Sequence, residues 1–230
     1  MRYLFFIFFC LISIIRCYTQ ENIIKEVDSL YKEDQFYAGI TYNLLGNRPK
    51  SLNQSGFSLG FHLGFIKDMP INKKRNKAIG LGIGYSANSY NQDLFINKDN
   101  AGNFVYSILA DTETYTKNKF STHLIEVPLE FRWRTSTPSE YDFWRIYMGI
   151  KFGYTIVNTS KYEGDLGRIK YTSNNDFNKF QYGLTLSTGY NTWNIHVYYG
   201  LNSILSDKAT INGERIDFNA IKIGLMFYIL

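Results

Sequence analysis

The chain has 230 residues, of which 45% are hydrophobic, 17% aromatic and 20% charged, with a formal net charge of +5. This composition is too apolar for a disordered chain, and with four prolines and 18 glycines it is not collagen-like. Beyond residue 16 no apolar run approaches the roughly 18 residues that a spanning helix needs. The composition therefore excludes a bundle of membrane helices, but it leaves membrane strands open.

The first 19 residues are predicted to be a secretory signal peptide. Arg2 supplies the positive charge, residues 3–15 form a short apolar run, and small residues at the cleavage site leave Gln20 as the new N-terminus. Both cysteines, Cys10 and Cys17, lie in this segment, so the mature chain is expected to hold no disulfide. Its removal lowers the net charge from +5 to +3, too little to indicate nucleic-acid binding.

Residues 20–35 are predicted to form a short periplasmic N-terminal segment. Ile24, Val27, Leu30 and Tyr31 recur at helical spacing among charged residues, which indicates one short peripheral helix.

Residues 36–230 are predicted to form an eight-stranded antiparallel up-and-down transmembrane β-barrel. The apolar pattern has a period of two, and Asn, Asp, Lys and Pro clusters bound its runs. The predicted strands are 36–46, 55–66, 77–90, 119–134, 143–157, 178–190, 193–205 and 218–229. An even number of long strands without crossover helices favours closure into an all-β barrel, because closure removes the exposed edges.

The residues between the apolar positions indicate which face contacts lipid. In the second strand Phe61 and Leu63 share one face, whereas His62 and Gly64 share the other. A water-exposed outer surface would carry Lys and Glu, but a row of Gly and Ser suits the crowded inside of a narrow barrel. The apolar face is therefore expected to point outward, toward membrane lipid.

Six charged residues fall in the inward phase and are predicted to form a salt-bridged lumen network. They are Glu126, Glu130, Arg132, Arg145, Lys151 and Lys222. Unpaired, each would be costly to bury, and an eight-stranded barrel has little room beyond its own side chains. The favoured hypothesis is a closed lumen, and the alternative is a narrow conducting path.

All three tryptophans are predicted to lie in one aromatic girdle. Trp133, Trp144 and Trp193 fall at periplasmic strand ends, in the lipid-facing phase, if both chain termini are periplasmic. The alternative is a soluble core that uses tryptophan as filler.

Long polar connections are predicted on the outer side, at 47–54, 91–118, 159–177 and 206–217. Within the second of these, Asn103–Ala110 is predicted to be a further strand. The inner turn at Asn191 and Thr192 is short, whereas the inner turn at 67–76 is longer than a membrane barrel normally has.

The last predicted strand carries a pattern of polar, glycine and hydrophobic positions: Lys222, Gly224, Phe227 and Ile229. The pattern is similar to the signal that outer-membrane barrels present to the barrel assembly machinery, and the alternative interpretation is an ordinary edge strand.

The chain from residue 20 to residue 230 resembles the PorT-like, or porin-family, small outer-membrane barrels of Bacteroidetes. The resemblance is carried by the block Leu124–Arg132 (LIEVPLEFR), the signal peptide that ends before Gln20, and the terminal strand. It implies a place in the bacterial outer membrane. It also implies, as one hypothesis, a role in type IX protein secretion, in which some PorT-like proteins take part with secretion-system partners.

The sequence gives no indication of catalysis, a metal or a cofactor. His62 and His196 are in the inward phase, His123 is in the lipid phase, and none has Ser/His/Asp spacing. Two functional classes remain open: a structural or accessory barrel, and a small-solute porin or surface ligand-binding or adhesion barrel. The latter would use aromatic residues of the long loops as contacts: Tyr106, Tyr115, Tyr162 and Tyr171.

Overall fold

Thirteen strands and no helix are present in the computed structural model, which describes residues 32–110, 112–135 and 143–229. The strands are β1 (Gln35–Gly46), β2 (Leu59–Pro70), β3 (Lys77–Asn91), β4 (Leu94–Lys98), β5 (Phe104–Ile108), β6 (Tyr115–Arg134), β7 (Trp144–Gly164), β8 (Gly167–Thr172), β9 (Phe180–Tyr190), β10 (Trp193–Ser203), β11 (Thr210–Ile211), β12 (Glu214–Arg215) and β13 (Asn219–Ile229). The signal peptide, its cysteines and the helix expected at Ile24–Tyr31 lie outside the described residues.

Eight of these strands close into an antiparallel barrel in the order β1, β2, β3, β6, β7, β9, β10 and β13. Closure is made by β1 and β13, which pair from Phe36 opposite Ile229 to Gly46 opposite Asn219. We call the end at which β1 begins the inner end and the opposite end the outer end. The predicted fold class, an eight-stranded antiparallel barrel, is confirmed. Nowhere in the described ranges is there a helix long and apolar enough to cross a membrane.

The second strand was predicted four residues too early. It begins at Leu59 and runs to Pro70, so the inner turn shrinks to residues 71–76 and is no longer an exception. The alternation of apolar and small or polar residues is unbroken through this region. It therefore predicts which face of the sheet each residue occupies, but not the residue at which β2 begins to pair with its neighbours. Asp68 consequently lies on the strand, in the inward phase, and not in a turn.

Strands β6 and β7 extend farther at the outer end than predicted, and they stay paired out to Gly164 opposite Tyr115. Their outer parts carry lysines and asparagines in place of apolar residues, which hides the strand pattern. The strand predicted at Asn103–Ala110 is confirmed as β5, which pairs with β4. The short strand β8 pairs with the extension of β7.

The row of small residues in the inward phase makes room for large side chains from neighbouring strands. A Cβ atom on Gly64 would lie 2.6 Å from the ring of Tyr37, and one on Gly80 would lie 2.7 Å from Arg132 Cδ. The outward phase is apolar and exposed, as at Leu63 and Ile83. Glycines inside and apolar residues outside therefore follow from a crowded, polar interior.

Candidate functional site: the barrel interior

Glu126 is the centre of a buried ion cluster in the middle of the barrel. Its Oε2 atom lies 3.2 Å from Lys151 Nζ and its Oε1 atom lies 3.8 Å from Lys222 Nζ. Ser86 Oγ donates a hydrogen bond of 2.7 Å to Oε1, and His62 Nδ1 lies 3.7 Å from Oε2. The carboxylate and both ammonium groups are at least 96% buried, so their mutual pairing offsets the cost of removing them from water.

A second cluster, which we call the inner lock, lies at the inner end around Asp68. Arg134 donates two hydrogen bonds to Asp68, of 2.8 and 2.9 Å, and Arg132 donates one of 3.0 Å. Asp68, Arg132 and Arg134 have no exposed surface. Glu33 Oε1 lies 3.7 Å from Arg134 Nε, and Gln35 accepts a hydrogen bond from Arg132.

The inner lock changes the predicted lumen network. Of the six predicted residues, Glu126, Lys151 and Lys222 meet in one cluster, whereas Arg132 belongs to the inner lock, 3.5 Å from Glu130 Oε2. Asp68 and Glu33 were missed because one was assigned to a turn and the other to the periplasmic segment. Alternation could have placed Asp68 inside the barrel, because it lies an even number of residues from His62 and therefore on the same, inward face.

Arg145, the sixth predicted member, makes no salt bridge with any described residue. Its guanidinium carbon lies 4.4 Å from the centre of the Phe143 ring, 5.8 Å from Tyr228 and 5.9 Å from Tyr147. Arg132 lies 4.2 Å from the Tyr147 ring. For Arg145, aromatic faces therefore take the place of the carboxylate pairing that was predicted, whereas Arg132 has both carboxylate and aromatic partners.

A buried apolar cluster, which we call the apolar plug, lies at the outer end. Phe120 stacks on Tyr90 and on Phe218, with ring centres 4.9 and 5.8 Å apart, and it meets Phe177 edge-on at 5.4 Å. The remaining plug residues come largely from the connections: Leu45, Leu52, Leu94, Ile96, Tyr106, Tyr198, Ile204, Leu205, Ala209, Ile216 and Ala220. The plug was missed because the outer connections are polar on average. Isolated apolar residues in them, such as Leu52, were the only signal.

The three histidines take the phases that their parity indicates. His62 and His196 are buried in the lumen, and His123 is half-buried at the surface, where its Nδ1 atom lies 2.5 Å from Tyr85 Oη. His196 Nδ1 lies 2.7 Å from Ser187 Oγ, a contact that no sequence motif indicated. The two-residue turn between β9 and β10 sets these residues opposite each other. Across the described residues, no group of His, Cys, Asp and Glu could hold a metal ion.

The predicted assembly residues lie on β13 with different neighbours. Lys222 points inward, Gly224 lies against the β1 backbone at Ile40, and Ile229 is exposed opposite Phe36. Phe227 meets Trp193 edge-on, with ring centres 4.8 Å apart. Barrel closure alone therefore requires glycine at position 224, because a Cβ there would overlap the Ile40 carbonyl oxygen.

The tryptophans lie on the outward surface at the inner end. Tyr190 stands between Trp144 and Trp193, directly opposite each in the ladder, and both tryptophans are more than half exposed. Trp133 is partly buried, opposite Ile146 and Lys77. Amphipathic rings at one level are typical of a membrane interface.

We expect bromine placed near the lipid headgroup to quench the fluorescence of the folded protein more strongly than bromine at the middle of the acyl chain. All three tryptophans of the chain belong to the predicted girdle, so the fluorescence signal reports the depth of the girdle alone. Steady-state fluorescence in vesicles of each brominated lipid measures the difference. Stronger quenching by mid-chain bromine would contradict the placement of the girdle.

Comparison with known protein families agrees with this architecture. The family described as "outer membrane protein beta-barrel domain" matches residues 20–206, and no curated protein sequence matches the chain. The crystal structure of Ail, the attachment invasion locus protein of Yersinia pestis, is 12% identical, covers 87% of this chain and 100% of its own, and has a TM-score of 0.36. Its complex with the heparin analogue sucrose octasulfate is 13% identical with the same coverage and a TM-score of 0.35. The chain belongs to the outer membrane protein β-barrel domain family, and the protein is an integral β-barrel of the bacterial outer membrane.

Proposed function

We propose that this protein is a non-enzymatic structural or accessory barrel of the outer membrane. In this proposal it belongs to the PorT-like group of Bacteroidetes and serves type IX protein secretion. The single observation that carries the proposal is the interior, which side chains fill from the inner lock through the Glu126 cluster to the apolar plug.

A filled interior favours a role other than solute passage. Water or a solute would have to separate Asp68 from two arginines, and each unpaired buried charge costs several kcal/mol. At the outer end it would also have to displace Phe120 and Phe218, which have no exposed surface. Such a barrel acts through its surfaces, where partner proteins and lipid can reach it.

The absence of enzymatic activity is part of the same proposal. The Ser187–His196 contact resembles part of a nucleophile–base pair, but both side chains are 99% buried inside the barrel. His62 is held between Glu126 and Thr41, whose Oγ1 lies 3.0 Å from His62 Nε2. In this proposal the two lumen histidines, His62 and His196, serve packing, because both are buried inside the barrel.

Crosslinking in native membranes followed by mass spectrometry tests the secretion role. We expect crosslinks to subunits of the secretion machinery, in addition to transient crosslinks to the barrel assembly machinery during biogenesis. The assembly machinery should appear equally for any other barrel of the same membrane, which provides the control. Recovery of a solitary barrel at steady state would contradict the accessory role.

A second candidate, a surface ligand-binding barrel, is favoured by a polar pocket of about 440 Å³ at the outer rim. Asn47, Asn178, Asn202 and Asp217 line it, together with Arg215, which lies 2.9 Å from Asp207. Titration of the folded protein with soluble glycans and peptides tests this candidate. Binding that Arg215→Gln abolishes would favour it over the accessory role.

A further inference from the structure

Three lysines lie side by side on the outward face of the extension that β6, β7 and β8 form beyond the barrel. Lys119 is directly opposite Lys161, and Lys161 is directly opposite Lys170. Lys161 and Lys170 are exposed, and Lys119 is half-buried. We call these three residues the lysine row.

The lysine row is unfavourable for the sheet itself. Like charges directly opposite each other on adjacent strands destabilise the pairing. None of the three makes a salt bridge with a described residue. The neighbouring acid, Glu163, is already engaged, because Lys117 donates a 3.0 Å hydrogen bond to it and lowers its pKa. Arg168, opposite Glu163, adds a further positive charge.

The position of the lysine row matches the level of lipid headgroups. The outward apolar wall ends where Val157 stands opposite His123. One pleat farther out lies a row of hydroxyl side chains that includes Thr159, and the lysine row follows one pleat beyond that. Two pleats span roughly 13 Å along a strand, and strand tilt reduces this height, which fits the headgroup layer outside the hydrocarbon core.

We propose that the lysine row binds the phosphate groups of an anionic glycolipid in the outer leaflet of the outer membrane. Ammonium groups bind phosphate as compact point charges, so three in a row suit a headgroup with more than one phosphate. A membrane lipid is favoured over a soluble polyanion because the row lies on the same outward face as the lipid-facing wall, two pleats beyond its end. The site depends neither on the closed interior nor on the secretion role.

Reconstitution of the full chain into phosphatidylcholine nanodiscs tests the proposal. One set contains bisphosphorylated lipid A and the other contains lipid A with both phosphates removed. Lipid retained on the protein is counted by native mass spectrometry. We expect retention of the bisphosphorylated form and its loss with added salt, because each lysine near an anionic surface contributes about fivefold in affinity.

The variant Lys119→Gln/Lys161→Gln/Lys170→Gln should lower retention of the bisphosphorylated lipid on the order of a hundredfold. It should fold, because it removes charge repulsion. The matched control, Lys73→Gln/Lys74→Gln/Lys77→Gln, removes the same charge near the inner end and should bind like wild type. Equal retention of both lipids by wild type, or unchanged preference in the row variant, would overturn the proposal. Binding of soluble dextran sulfate with no preference between the lipids would also overturn it.

Discussion

Replacing Asp68 by asparagine is expected to lower the free energy of unfolding by about 3–5 kcal/mol. Asp68 is the shared acceptor of Arg132 and Arg134, and none of the three has exposed surface. The substitution keeps the shape of the side chain but leaves two buried guanidinium groups without their main counter-charge. Urea unfolding of the protein in lipid vesicles, followed by tryptophan fluorescence, measures the loss.

Asp207→Asn is the matched control for this variant. Asp207 also forms an ion pair with an arginine, 2.9 Å from Arg215 Nη1, but its side chain is 81% exposed. Water and side-chain entropy make such a surface pair nearly neutral. A similar, small effect for both variants would show that the inner lock contributes little to stability.

Glu126→Gln is expected to have a comparable effect, about 3–5 kcal/mol, because it leaves Lys151 and Lys222 in the lumen without the carboxylate that they share. The temperature at which the unboiled protein changes its gel migration should fall accordingly. The surface variant Glu163→Gln should leave that temperature almost unchanged. An unchanged temperature for Glu126→Gln would mean that the two lysines are solvated or neutral.

A double-mutant cycle with Lys151→Met separates the ion pair from general packing. If the charges interact across the 3.2 Å contact, the double variant should lose less stability than the sum of the single variants. Additive losses would assign the effect of Glu126 to packing and hydrogen bonding.

The fold could be predicted because alternation is a local property. Parity assigned Leu63, His62 and Glu126 to the correct faces before any pairing was known, and face assignment defines a barrel wall. Strand ends were less predictable, as β2 shows. A strand can begin or end several residues earlier or later without any change in which residues face inward.

The contacts inside the barrel were only partly predictable. Glu126 and Lys151 lie on sequential strands and could be expected to meet. Asp68 and Arg134 are 66 residues apart, and their contact depends on the register across β3, which the sequence does not encode locally. The apolar plug could not be predicted for the same reason. Residues such as Leu52 and Phe218 are far apart in the sequence and come into one cluster only when the barrel closes.

Planar-bilayer recording of the purified protein tests the closed interior most directly. The inner lock, the Glu126 cluster and the apolar plug lie in series along the lumen, so we expect no stable unitary conductance after insertion. Insertion is verified by the shift of the unboiled protein on gels, and a porin inserted under the same conditions serves as the positive control. Stable, reproducible conductance steps from the folded protein would contradict the closed interior and would favour the small-solute porin.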